Sequence, residues 1–164
     1  LSYFLIISLT ASFLTIFPKI HVFAAASCWT DNWRVQVFKD ALQPEGASTS
    51  ISMVVAKNEY EPAQILIRNT DSFTIEGVTF TDLTSGSNTI ESDNLSYNFV
   101  SWFHSDQNTP GLTNNNIVRS APEDYPEYLI NESTITVPGE QTQPIWITLF
   151  VPSTTEAGTY TGTM

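Results

Sequence analysis

Glu59 and Glu61 are the two carboxylates whose spacing comes nearest to a catalytic pair. Residues two apart on a β-strand point to the same side, and glycosidic cleavage needs two carboxylates placed across the bond, one with a raised pKa. Lys57 and Arg68 lie close enough in the sequence to neutralise them. We therefore interpret the glutamates as paired charges on a sheet edge, and we predict no catalytic residue in this chain.

His104 is the one histidine beyond the apolar N-terminal segment. A hydrolytic triad would need it to shuttle a proton between a nucleophile and a leaving group. Asp106 follows closely, but nearness in sequence does not supply the orienting geometry. We interpret His104 as a histidine at the end of a strand.

Metal and cofactor sites have little support in the sequence. Cys28 is the only cysteine, which excludes a disulfide framework and a Cys-based metal site within the chain. Glu123, Asp124 and Glu127 could bind calcium through oxygen atoms, but no regular loop pattern marks them. We expect solvated acids there, and neither a metal nor a cofactor is predicted.

Exposed aromatic side chains could bind a sugar without cleaving it, because a pyranose ring presents an apolar face to an indole or a phenol. The candidates lie near predicted strand ends or in irregular chain: Trp29, Trp102, Tyr125 and Tyr128. Trp33 and Trp146 fall inside alternating segments and are expected in the core. Burial of all these rings is the alternative, and it is the commoner outcome in a sandwich.

The elements that must position these residues are short strands. Apolar and polar residues alternate with a period of two along these segments: 33–37, 51–55, 63–68, 74–83, 96–103, 145–151 and 159–164. Gly, Pro, Asn and Asp separate them, and no stretch shows a sustained helical period. An all-β fold is predicted, an antiparallel β-sandwich of immunoglobulin-like or jelly-roll-like type.

The segment 104–142 interrupts this rhythm with three consecutive asparagines and several prolines. We expect it to be largely irregular. Such a long loop is typical of a functional or docked segment, with a plain surface excursion as the equal alternative.

The N-terminal residues predict export. Residues 1–17 carry no charge, and Ala24, Ala25 and Ala26 follow, which is typical of a signal peptide spanning residues 1–26. A retained membrane anchor is the alternative, and lipid modification of Cys28 is a less favoured one. A domain at 27–164 then follows, and we expect a secreted or extracellular protein, periplasmic or at the cell surface if bacterial.

The charge balance restricts the partners. Six Lys and Arg stand against 17 Asp and Glu, for a net charge of -11. Such a field repels phosphate backbones and anionic headgroups, so neither nucleic acid nor a membrane is an expected partner of the mature domain.

Two segments resemble a known family. The run KNEYEPAQILIR at 57–68, and the run QPIWITLFVP at 143–152 followed by AGTYTG at 157–162, resemble the N-terminal β-sandwich of glycoside hydrolase family 123-like proteins. The last strand stops at Met164 without a closing partner. We therefore expect the domain to be truncated at its C-terminal end.

The resemblance implies a sandwich packed against a following catalytic barrel, which acts on N-acetylgalactosaminides and carries the paired carboxylates. Glu59 and Gln64 are then structural or interdomain residues. The expected function is a non-catalytic accessory module of a secreted glycoside hydrolase. A carbohydrate-binding or adhesion module is the alternative, and a structural spacer is a third.

Overall fold

A computed structural model describes residues 26–111 and 117–164. The strands are β1 (Ser27–Asp31), β2 (Glu59–Arg68), β3 (Phe73–Ile75), β4 (Leu83–Ser85), β5 (Asn88–Ile90), β6 (Leu95–Ser105), β7 (Glu123–Ile130), β8 (Ile135–Val137) and β9 (Thr142–Val151). A 3₁₀ turn, Ser92–Asn94, precedes β6. The predicted signal peptide falls outside the described residues, apart from Ala26. Within the described residues, no helix is long and apolar enough to cross a bilayer.

The main layer is a five-stranded sheet in the order β1-β2-β9-β6-β7, with every neighbouring pair antiparallel. β9 lies at its centre and pairs with β2 along its whole length. Buried residues lie on both of its faces, Ile145 and Ile147 on one and Pro144 on the other. A central strand covered on both sides explains why this segment reads as a nearly continuous apolar run.

A second layer covers one face of this sheet. β3 pairs with β8, and β4 pairs with β5. Ile75 of β3 and Val137 of β8 pack against Ile65, Phe99 and Ile145 of the sheet. The predicted all-β, antiparallel sandwich is confirmed.

The opposite face of the sheet is partly covered by the loop 32–47. Trp29 of β1 and Leu66 of β2 are cross-strand partners on this face, and Val37 of the loop packs on both. Trp29 is only 2% exposed. Its predicted place in a sugar-stacking platform is therefore wrong, because the loop buries its ring.

Several predicted strands are shorter or missing. The segment 33–37 forms a turn, because the Asn32 side chain accepts the amide of Arg34 and the Asn32 carbonyl accepts the amide of Val35. Residues 51–55 keep an alternating burial pattern but form no strand. The segment 74–83 is not one strand: it contains the last residues of β3 and the first residue of β4, and Gly77, at φ 143, lies between them. Residues 159–164 make one isolated bridge, between Thr161 and Thr84.

The segment 104–142, which was expected to be largely irregular, contains two strands that were not predicted, β7 and β8. β7 pairs with β6, and the register shifts between Ser101 and Trp102, where Pro126 lies opposite Trp102. Proline is tolerated at a bulge on an edge strand because no ladder bond needs its missing N–H. The proline content that suggested a loop is thus compatible with the edge of the sheet.

Candidate functional site

Two of the candidate residues, Gln64 and Tyr128, line a groove of about 200 Å³ on the face partly covered by loop 32–47. We call it the sheet groove. Gln64, Val100 and Trp146 line it from the sheet. Residues 33–37 and 126–129 form its two sides.

Gln64 fixes one side of the sheet groove. It is 3% exposed, and its Nε2 donates to the carbonyls of Asn32 and Val35, each at 2.9 Å. These two bonds hold the turn that presents Trp33. The Arg34 guanidinium lies 4.9 Å from the Trp33 ring centroid, a cation–π distance. Gln64 is therefore buried beneath the groove, and it shapes the groove by holding this turn in place.

Tyr128 is the one predicted sugar-binding residue that the structure brings to the sheet groove. It is 50% exposed, and its hydroxyl donates to the Trp102 carbonyl at 3.0 Å. Trp33, expected in the core, is 38% exposed and lies on the other side of the groove. The preceding Asp31-Asn32 pair, a turn signal, could have revealed this from sequence.

Trp102 and Tyr125 lie outside the sheet groove and are engaged elsewhere. The Lys39 ammonium lies 5.2 Å from the Trp102 ring centroid. The Tyr125 ring meets Phe38 edge-on, with centroids 5.9 Å apart, and its hydroxyl donates to the Arg119 carbonyl. Both rings help to attach loop 32–47 to the sheet.

A salt-bridge cluster, formed by Lys39, His104, Asp106 and Asp124, joins the same elements. Asp124 binds the Lys39 ammonium and Nδ1 of His104, each at 2.6 Å, through different carboxylate oxygens. Nε2 of His104 lies 3.2 Å from Asp106. Since both ring nitrogens face carboxylates, the arrangement favours an imidazolium that donates twice, not a base facing a nucleophile.

The cluster shifts two titrations in opposite directions. The hydrogen bond that His104 donates to Asp124 raises the pKa of His104, with a smaller contribution from Asp106. The Lys39 hydrogen bond, followed by that of His104, lowers the pKa of Asp124. Both charged forms are therefore favoured together.

The two candidate glutamates occupy the end of β2 that β1 does not reach, since β1 pairs only with Gln64 to Arg68. Glu59 accepts the Ala56 amide at 2.8 Å. Arg68, expected to neutralise the pair, binds Glu140 instead, at 2.7 Å. That expected ion pair is wrong, because the guanidinium lies at the far end of the ten-residue strand.

Two of the three acidic residues that could bind calcium, Glu123 and Asp124, form ion pairs with basic side chains. Glu123 lies 3.3 Å from the Arg119 guanidinium, and Asp124 belongs to the salt-bridge cluster. Across 26–111 and 117–164, no group of three or more His, Cys, Asp or Glu side chains is arranged to hold a metal ion.

Comparison with known proteins identifies the family. Residues 33–164 match the model of the glycoside hydrolase 123 N-terminal domain. The chain belongs to this family. A search of curated proteins found no match.

The fold agrees with the family. A solved structure of a family 123 glycoside hydrolase from Clostridium perfringens, described in work on glycolipid glycan hydrolysis, superposes with a TM-score of 0.66 at 12% identity. The match covers 85% of this chain and 24% of that one. The predicted resemblance is confirmed, and the chain corresponds to about a quarter of the length of this neighbour.

Proposed function

We propose that this domain is a non-catalytic accessory module that supports a glycoside hydrolase domain in the same polypeptide. The observation that carries the proposal is the family match over 33–164, together with a neighbour of which this chain covers only 24%. The engagement of His104 and Asp124 with other side chains supports it. These groups neutralise one another and stabilise the sandwich.

The substrate class follows from the family resemblance. The proposed parent enzyme cleaves β-N-acetylgalactosaminides, with its acid and base in the catalytic domain. The apolar segment before residue 27 supports export, so the proposed site of action is outside the cytoplasm.

The test is to express the gene product extended past Met164 beside the domain 27–164, and to assay both on a panel of aryl N-acetylhexosaminides. The longer protein should cleave the N-acetylgalactosaminide, and the domain should not. Glu59→Gln and Glu61→Gln in the longer protein should leave its kcat unchanged. Cleavage by the domain alone, or loss of kcat in these variants, would contradict the accessory role.

Glycan binding by the domain is a second candidate, favoured by the exposed rings of Trp33 and Tyr128 on opposite sides of the sheet groove. Its test is a calorimetric titration of the isolated domain with N-acetylgalactosamine-terminated oligosaccharides. Trp33→Ala should abolish binding. Phe103→Ala is the matched control, because Phe103 is 54% exposed but does not line the groove.

A further inference from the structure

A second, larger groove separates two extended segments of the second layer. It has a volume of about 1010 Å³ and is lined by residues 49–57 on one side and 155–164 on the other. Ile90, Leu95, Leu149 and Val151 form its apolar floor. We call it the strand gap.

One edge of the strand gap is the segment 159–163. Thr161 exchanges two backbone hydrogen bonds with Thr84 of β4, and the Thr163 carbonyl accepts the amide of Thr81. Backbone groups of an extended chain alternate between its two edges. The amides and carbonyls of Tyr160 and Gly162 therefore point away from β4, towards the gap.

The other edge is the segment 51–55. The side chains of Ile51, Met53 and Val55 are half-buried, whereas Val54 is 98% exposed. This is the alternation of a strand that covers a core. Among the described residues, however, no backbone–backbone hydrogen bond is made by any residue from 51 to 55.

The direction of the open bonds can be read from the preceding residues. The Thr30 hydroxyl of β1 donates to the carbonyl of Ser50, the residue just before this segment, so the backbone groups of the even-numbered residues are assigned to the edge that faces the large sheet. Because burial alternates along residues 51–55 as in a strand, the amides and carbonyls of Met53 and Val55 point to the opposite edge, where the strand gap lies. Both sides of the gap thus present strand edges above an apolar floor.

Two facing strand edges over an apolar floor match one kind of occupant. A peptide in extended conformation can bond to both edges through its backbone and bury every second side chain in the floor. We infer that the strand gap accepts a β-strand with alternating apolar side chains, supplied by a segment of the same polypeptide that follows Met164. This inference rests on the proposed function, in which the domain belongs to a longer protein.

The charge of the domain favours a strand from the same polypeptide over one from a second copy. The whole sequence has a net charge of -11, and all 17 of its acidic residues lie in 27–164, so two copies of the domain repel each other on approach. A strand tethered to the domain is present at a high effective concentration and needs no encounter.

Amide hydrogen exchange tests the inference. The exchange rates of the Met53, Val55, Tyr160 and Gly162 amides are measured in the domain 27–164 and in the extended gene product. All four should exchange at least about tenfold more slowly in the longer protein, because local opening must precede exchange of a paired amide. The Ile147 amide, inside the sheet in both proteins, is the internal control for folding.

A pair of variants sharpens the result. In the longer protein, Met53→Asp places a charge against the apolar floor and should restore fast exchange at Tyr160 and Gly162. Val54→Asp, at the outward-facing neighbour, should not. Slow exchange of Ile147 in both variants shows that the sheet remains folded.

Three results would overturn the inference: equal exchange of the four amides in the two proteins, slow exchange that requires high protein concentration, or an identical response to both variants. A longer protein that cleaves an N-acetylgalactosaminide while these amides exchange rapidly would refute the strand gap and leave the proposed function standing. A longer protein in which these amides exchange slowly but which has no glycosidase activity would support the inference about the strand gap and refute the proposed function.

Discussion

The salt-bridge cluster connects three parts of the chain through single side chains. Lys39 comes from loop 32–47, His104 from β6 and Asp124 from β7. Because the His104 side chain is 58% exposed, solvent screens its ion pairs. We therefore expect a modest contribution to stability that depends on pH.

The sign of this dependence follows from the two pKa shifts. The raised pKa of His104 means that its contribution is fully present below the ordinary value of 6.5 and is lost as pH rises through the raised value. The lowered pKa of Asp124 means that its contribution is present above 3.8 and is lost as pH falls through the lowered value. Both contributions are present together in the mildly acidic range.

The variant His104→Asn should lower Tm by a few degrees at about pH 5, and by less towards about pH 9, because the wild-type imidazole loses its proton as the pH rises through its raised pKa. Thermal melts of both proteins across this range measure the effect. Asp106→Asn is the control with the smaller expected effect, because Asp106 has a side chain that is 86% exposed. A deficit that grows with pH would contradict the assignment.

Gln64 illustrates a buried polar side chain whose role is to hold a turn. Gln64→Leu keeps the bulk but removes the two hydrogen bonds that Gln64 donates to the Asn32 and Val35 carbonyls, at a cost of about 1–3 kcal/mol in the free energy of unfolding. Urea denaturation measures this loss. Gln107→Leu, at an exposed position, should change it little. Equal effects of the two substitutions would show that the two bonds contribute nothing.

At the scale of elements, β9 organises the sandwich because it is the central strand and both its faces are covered. Ile147 is 1% exposed and packs in the cluster between the two layers. Ile147→Ala should lower the free energy of unfolding by about 2–5 kcal/mol, since the cavity cannot fully collapse. Phe103→Ala on β6, at 54% exposure, should cost much less. Chemical denaturation measures the free energy of unfolding of both variants, and an unchanged m-value shows that their values can be compared.

At the scale of the whole molecule, the acidic field should govern non-specific contacts. The whole sequence has a net charge of -11, and all 17 of its acidic residues lie in the domain 27–164, which should therefore pass through a heparin column at physiological salt and bind an anion exchanger. Retention on heparin would reveal a local basic surface that outweighs the total charge. Elution from the exchanger at increasing salt measures the strength of the field.

The sequence determined the fold class and the strands with strong patterns. The alternation in 63–68 and the apolar run in 145–151 predicted β2 and β9, and the motifs in both segments pointed to the family. These features are local, because periodicity and turn residues act over a few neighbours. The large excess of acidic residues likewise follows from the composition alone.

Only the tertiary structure decided which residues share a surface. The 33–37 segment alternates like a strand, yet the Asn32 side chain converts it into a turn and exposes Trp33. β7 carries a proline typical of a loop, yet an edge position and a bulge accommodate it. Asp124, which pairs with His104, and Glu140, which pairs with Arg68, also lie far from these residues in the sequence. Contacts of this kind depend on strand order and on loop packing, which no local pattern encodes.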